Sequence, residues 1–215
     1  MDYARAEKII DRLLNHNEVD IDSVDELISF FVKGYPIYAV EKLINSSNKY
    51  AYSSGLYIIE ENPQLAIPIK DKILKLGISG NTYDKFVFIE FFLNTKLHEK
   101  RLVGIFAKLL NDFDLRIRAK AIVWLATTSE ECFFLTKQIS ERKKTQENDG
   151  KFDEHCYIRT KRAIRIAEEL RKISSRGNIK FHINKMLHSY ANEDNLTFYI
   201  LMKEEQMIAD YIDGA

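Results

Sequence analysis

Apolar residues recur at intervals of three and four along nearly the whole of this chain, the spacing of an α-helix with one buried face. Ile9, Ile10, Leu13 and Leu14 form one such stripe, and Leu27, Ile28, Phe31 and Val32 form another. Residues that punctuate strands are scarce: 8 glycines and 3 prolines in 215 residues are too few for an all-β chain. The sequence therefore predicts an all-α protein, with breaks where the punctuation falls. Asp22 or Ser23 can cap a helix that Gly34 ends, and Pro36 suits the start of the next, which runs to about Ile44. Further helices are expected over 49–61, 64–76, 82–93, 98–110, 115–126, 129–142 and 155–174, with an exposed loop at Lys144–Asp153. Two more are expected near 179–191 and 195–212, the first of them with some strand character at Ile179–Ile183.

Short connections make successive helices antiparallel neighbours. Fixed-period repeats are the next signal to seek. Asn48, Asn81 and Asp114 are cap-type residues spaced by 33. Counted from each, five columns are apolar in all three units: Leu56/Ile89/Ile122, Ile58/Phe91/Trp124, Ile59/Phe92/Leu125, Ile69/Leu102/Leu135 and Ile73/Phe106/Ile139. Their placement carries the signal. Three columns share a face of each first helix, and two stand four apart on each second helix.

The unit Asp112-Phe-Asp-Leu-Arg-Ile117-Arg118-Ala-Lys-Ala121-Ile-Val-Trp-Leu125 resembles the first helix of a HEAT repeat. It has the acidic cap, the Ile-Arg pair, then Ala and Leu at helical spacing. The resemblance is strict over about 30 residues and loose over 48–175. It implies a HEAT-like stack of antiparallel helix pairs, an α-α superhelix, with the chain 1–215 as a single helical-repeat domain. It also implies that the acidic and Arg residues hydrogen-bond between neighbouring repeats. Trp124 stands where that family usually has a small residue, which implies looser helix packing there.

Composition bounds the class. Apolar residues make up 46% and charged residues 30%, which excludes an intrinsically disordered chain. The two cysteines, Cys132 and Cys156, form no CxxC or disulfide framework, so a reducing, cytoplasmic setting is expected. The N-terminus starts an amphipathic helix and does not read as a signal peptide. No apolar run approaches the roughly 20 residues that span a bilayer, so no membrane partner is expected. Net charge is zero but unevenly placed: residues 1–95 carry −4, residues 96–185 carry +9 and residues 186–215 carry −5. The central basic stretch could face an anion.

Chemistry-bearing motifs are absent or weak. His16, His98, His155, His182 and His188 form no HExxH, and the adjacent His155 and Cys156 lack further clustered ligands. No metal and no cofactor is therefore expected. There is no GxGxxG, P-loop or GxSxG. Arg176 and His182 form an R-x5-H spacing similar to that of the helical HEPN ribonucleases. That resemblance implies an Arg for phosphate charge and a His for proton transfer, although Gly177 interrupts the pair. On the basic helix, Arg159, Arg162 and Arg165 recur every three residues opposite an apolar stripe, and such guanidiniums can hold phosphate or carboxylate. With Arg116, Arg118 and Lys120 on a related surface, this is somewhat similar to the alkylpurine DNA glycosylases built of HEAT-like repeats. Those enzymes need an acidic residue and aromatics in a cleft, and Asp153, Trp124 and Tyr157 are of those types. The plain alternative is a solvated helix with Glu168 and Glu169 as internal partners.

Tyr35, Tyr38, Tyr50, Tyr52 and Tyr57 cluster within 23 residues, and tyrosine is a favoured interface residue. The sequence reading is thus a non-catalytic protein-binding module, with no catalytic residue assigned. Tyr35, Tyr38, Tyr52, Arg159, Arg162 and Arg165 are its candidate partner-binding residues. By analogy, a bacterial immunity protein that neutralises a toxin is one form of such a module. The rival is nucleic-acid binding through 96–185.

Overall fold

The computed structural model describes residues 3–15, 21–142 and 154–174. Every regular element among them is helical, as the apolar spacing predicts. The helices are α1 (Tyr3–Asn15), α2 (Ile21–Val32), α3 (Val40–Ile44), α4 (Lys49–Glu61), α5 (Lys70–Ile73), α6 (Thr82–Thr95), α7 (Lys100–Leu109), α8 (Leu115–Thr127), α9 (Glu130–Arg142) and α10 (Glu154–Ser174). The expected loop at 144–153, the two expected C-terminal helices and the Arg176/His182 pair lie outside the described residues.

The chain divides into two compact units, one up to Leu97 and one from His98. In the first, α4 is the hub: α1, α2, α3 and α6 all pack against it. In the second, α7 packs on α9 and α8 on α10, so alternate helices become neighbours, while α8 also meets α7 and α9.

The 33-residue period is written into the helix starts. Asn48 accepts from Tyr50 N at 2.9 Å, Asn81 from Tyr83 N at 2.8 Å and Asp114 from Arg116 N at 2.8 Å, each satisfying an amide that its helix leaves unpaired. Two residues earlier a second side chain repeats the trick. Ser46 Oγ accepts from Asn48 N, Ser79 Oγ from Asn81 N and Asp112 Oδ1 from Asp114 N, at 3.1, 3.1 and 3.0 Å. The three apolar columns of the first helices are all buried. On the second helices, Ile69, Leu102, Ile73 and Phe106 are buried, while Leu135 and Ile139 are half-buried.

Gly34 ends α2 with φ of 96°, a conformation that costs other residues a Cβ clash. Gly34 N donates to Phe31 O and Tyr35 N to Phe30 O, a complete Schellman closure that fixes Tyr35 against the helix end. The expected helix over 64–76 is instead broken into a 3-10 turn at Ile67–Ile69, the short α5, and a second 3-10 turn at Leu74–Ile78. Pro68 has no N–H to continue an α-helical ladder, and the β-branched Ile67, Ile69 and Ile73 add little helical preference. α6 runs to Thr95, two residues beyond its expected end, and stops at Lys96 in the left-handed region with φ of 53°.

Trp124 is fully buried and stacks flat on Phe106, with ring centroids 3.7 Å apart and planes within 4°. The large residue is accommodated by an aromatic partner from α7, so the looser packing implied by the HEAT comparison is not what this site shows. Arg118, also buried, donates to the carbonyls of Asp112 and Phe113 at 2.6 and 3.2 Å. It closes the turn before its own helix, whereas the resemblance implies a partner in a neighbouring repeat. Asp114 is engaged by Arg116 of its own first turn.

Candidate protein-binding surface

The candidate tyrosines have separate surroundings. Tyr35 sits half-buried in an aromatic group with Tyr3 and Phe31, at ring separations of 5.2 and 5.6 Å. Burial, reinforced by Glu7 and Asp11, raises its hydroxyl pKa. Tyr38 lies in the 3-10 turn Ile37–Ala39 and is 60% exposed. Tyr52 spends its hydroxyl inside the first unit. Burial, then its hydrogen bond to the buried Asp84, raises its pKa, and Ser79 Oγ donates to the same carboxylate at 2.6 Å. Of the three candidates, only Tyr38 stands open to solvent.

A different face of the first unit gathers tyrosine and acid together. Tyr57, Glu60 and Glu61 fall at i, i+3 and i+4 on α4, which places them on one side of the helix. α2 and α6 pack against α4. From α6, Tyr83 donates its hydroxyl to Glu60 Oε2 at 2.8 Å and remains 40% exposed. From α2, the exposed Asp25 acts on Tyr57: its charge is the main reason that hydroxyl is held above its ordinary pKa, ahead of burial, Glu61 and Glu60. Burial raises the Tyr83 hydroxyl, followed by its hydrogen bond to Glu60.

These carboxylates differ from others in the same unit. Glu26 is held by Arg5 at 2.5 Å and Glu41 by Lys72 at 3.3 Å. Asp25, Glu60 and Glu61 form no ion pair among the described residues. Nor do they converge closely enough to share one metal ion; no group of three or more His, Cys, Asp or Glu among the described residues does.

In the second unit, polar side chains mostly serve the fold. Arg171 of α10 donates to Thr128 O at 2.7 Å and Ala126 O at 3.3 Å, pairs with Glu130 at 2.7 Å and lies over the Phe133 ring at 4.8 Å. It thus satisfies carbonyls that the end of α8 leaves open. Beside it, His98 Nδ1 and Thr128 Oγ1 are 3.1 Å apart, and burial and then Arg171 lower the imidazole pKa. Glu168 holds Lys137 of α9 at 2.5 Å and Glu169 holds Lys172 at 2.9 Å, the internal pairing expected of a structural helix. Arg165 and Lys161 are exposed on α10 and Arg162 is half-buried. Arg159 belongs to the same helix, but its side chain, like those of Tyr157 and Asp153, lies outside the described residues.

The sequence reading named Tyr57 within its tyrosine cluster but missed Tyr83, Asp25, Glu60 and Glu61. The Tyr57/Glu60/Glu61 spacing was the available signal. The contributions of α2 and α6 depend on tertiary packing. No helix among the described residues is long and apolar enough to cross a membrane. Comparison with protein families, curated proteins and solved structures finds no match to this chain.

Proposed function

We propose that this chain is a non-catalytic protein-binding module, a HEAT-like helical stack that docks a partner on the α2–α4–α6 face of its first unit. The observation that carries the reading is the cluster of unpaired carboxylates around two accessible tyrosines. Leaving charges without counter-ions lowers stability through repulsion, and a partner of opposite charge relieves it. Tyrosine adds a large amphipathic contact area at little cost in side-chain entropy. The 33-residue cap period and the alternate packing of α7 on α9 and α8 on α10 support the stacked arrangement. A rigid helical scaffold loses little ordering entropy on docking.

Site-specific photo-crosslinking tests the reading in the cells that make the protein. A photoreactive phenylalanine at position 83 or 57 is expected to capture a defined protein, and one at the remote Lys8 is not. Failure at both face positions, with the probe-bearing chains folded, counts against the reading. If the partner is a toxin, as for an immunity protein, co-expression restores growth, and Asp25→Asn with Glu60→Gln and Glu61→Gln abolishes the rescue.

The exposed Arg165 and Lys161 support a second reading, nucleic-acid binding through α10. It predicts binding to duplex or single strands that falls steeply with salt, and a salt slope shallower by about one per phosphate contact removed when these residues become Gln. Absence of binding at low salt eliminates it.

A further inference from the structure

Resting on the protein-binding reading, we propose that the α2–α4–α6 face recognises a segment of its partner carrying several Lys or Arg side chains. The argument begins with the shape of the charge. Asp25, Glu60 and Glu61 come from two helices and do not converge on a point, so the face does not suit a compact divalent ion. It suits several cations carried separately along a chain. An extended peptide places alternate side chains about 7 Å apart on one side, which lets successive cations reach successive carboxylates.

The tyrosines sharpen the choice. Tyr57 lies on the same side of α4 as Glu60 and Glu61, and Tyr83 is anchored to Glu60 at 2.8 Å. A guanidinium or ammonium over a tyrosine ring gains a cation–π attraction beside the carboxylate, which an anionic or apolar segment cannot obtain. Arg gains more than Lys, because its planar group can stack on the ring and bridge a carboxylate at once. Both Glu60 lone-pair capacity and the second oxygens of Glu61 and Asp25 remain for incoming donors. The site lies wholly within the first unit, so it needs nothing from the second.

The test uses the full chain and two fluorescein-labelled octapeptides, alternating Arg-Gly and alternating Glu-Gly, followed by fluorescence anisotropy. Saturable binding of the Arg peptide alone is expected. The triple variant Asp25→Asn, Glu60→Gln, Glu61→Gln should weaken it about tenfold, since exposed pairs contribute modestly each. A control of equal charge change on the same unit, Glu7→Gln, Asp11→Asn, Asp22→Asn, should shift it less than about twofold. Tyr57→Leu with Tyr83→Leu should weaken binding severalfold, and the Phe counterparts should restore most of it, because the ring face is kept. Equal weakening by both triple variants would show general charge attraction and overturn the proposal, as would equal binding of the Glu peptide. The cross-linking experiment separates the two readings. A captured partner that persists in the Asp25/Glu60/Glu61 variant leaves protein binding standing and removes the basic segment. No capture at either face position removes the protein-binding reading itself.

Discussion

Trp124 is the only tryptophan in the chain, and it is buried against Phe106. Trp124→Ala should cost about 3–5 kcal/mol by transfer and cavity terms together, measured by denaturant titration. A loss below about 1 kcal/mol would contradict the packing described. The same residue reports on itself, because its emission in the native protein should be that of an indole shielded from water. Two glycines give opposite signs. A Cβ at Gly55 would meet Ile44 Cγ2 at 2.7 Å and Leu43 Cβ at 3.0 Å, so α3 lies too close to α4 for a methyl group. The overpacking outweighs the gain in helix propensity, and Gly55→Ala should lose about 1 kcal/mol. At Gly104, exposed on α7, nothing lies within 4 Å of an added Cβ, and Gly104→Ala should gain about 0.5–1 kcal/mol. Trp124 was legible in the sequence as a core position because its column was apolar in all three units. Gly55 was not, since close approach of two helices leaves no periodic signature. Arg118 stood out for its motif, yet the motif did not reveal that its guanidinium turns back on the preceding turn.

At the scale of elements, the caps hold the helix starts. Replacing Asn48, Asn81 or Asp114 by Ala should cost about 1 kcal/mol each, as an amide of the first turn loses its acceptor. Asp114 adds a pH dependence. Its hydrogen bond to the Arg116 guanidinium, countered by burial and helped by the helix amides, lowers its carboxyl pKa to about 2 from 3.8. The unfolded chain therefore binds the proton first. The contribution is complete above the unfolded value near 3.8 and is lost as pH falls through about 2. Asp114→Asn keeps a capping oxygen, so it should flatten the stability profile across that window while leaving the helix start intact. A profile unchanged by the substitution would show that the carboxylate is not coupled to folding. The three caps were readable from residue type and interval alone. The second layer at Ser46, Ser79 and Asp112 was overlooked, and the 64–76 segment was read as one helix because its apolar periodicity masked the effect of Pro68.

For the whole molecule, the segmental charges were plain from the sequence, but not which charges had partners. Lys137, Lys172, Arg5 and Lys72 each hold a carboxylate, whereas Asp25, Glu60 and Glu61 hold none. Counting residues could not make that distinction; packing of α2 and α6 on α4 makes it. Partner association at that face should slow as ionic strength rises, since screening acts first on diffusional encounter, and stopped-flow association rates would show it. A rate unchanged between low and physiological salt would remove charge from the encounter. The doubled cap that recurs at 46/48, 79/81 and 112/114 has a consequence for how such a chain can change length. Cut at one cap and rejoined at the next, the sequence loses or gains 33 residues and still presents an intact helix start at the seam. Any other length leaves the seam with bare amides. Gene rearrangement in a protein of this kind is thereby steered toward whole steps, and its growth is counted in units that the capping chemistry itself defines.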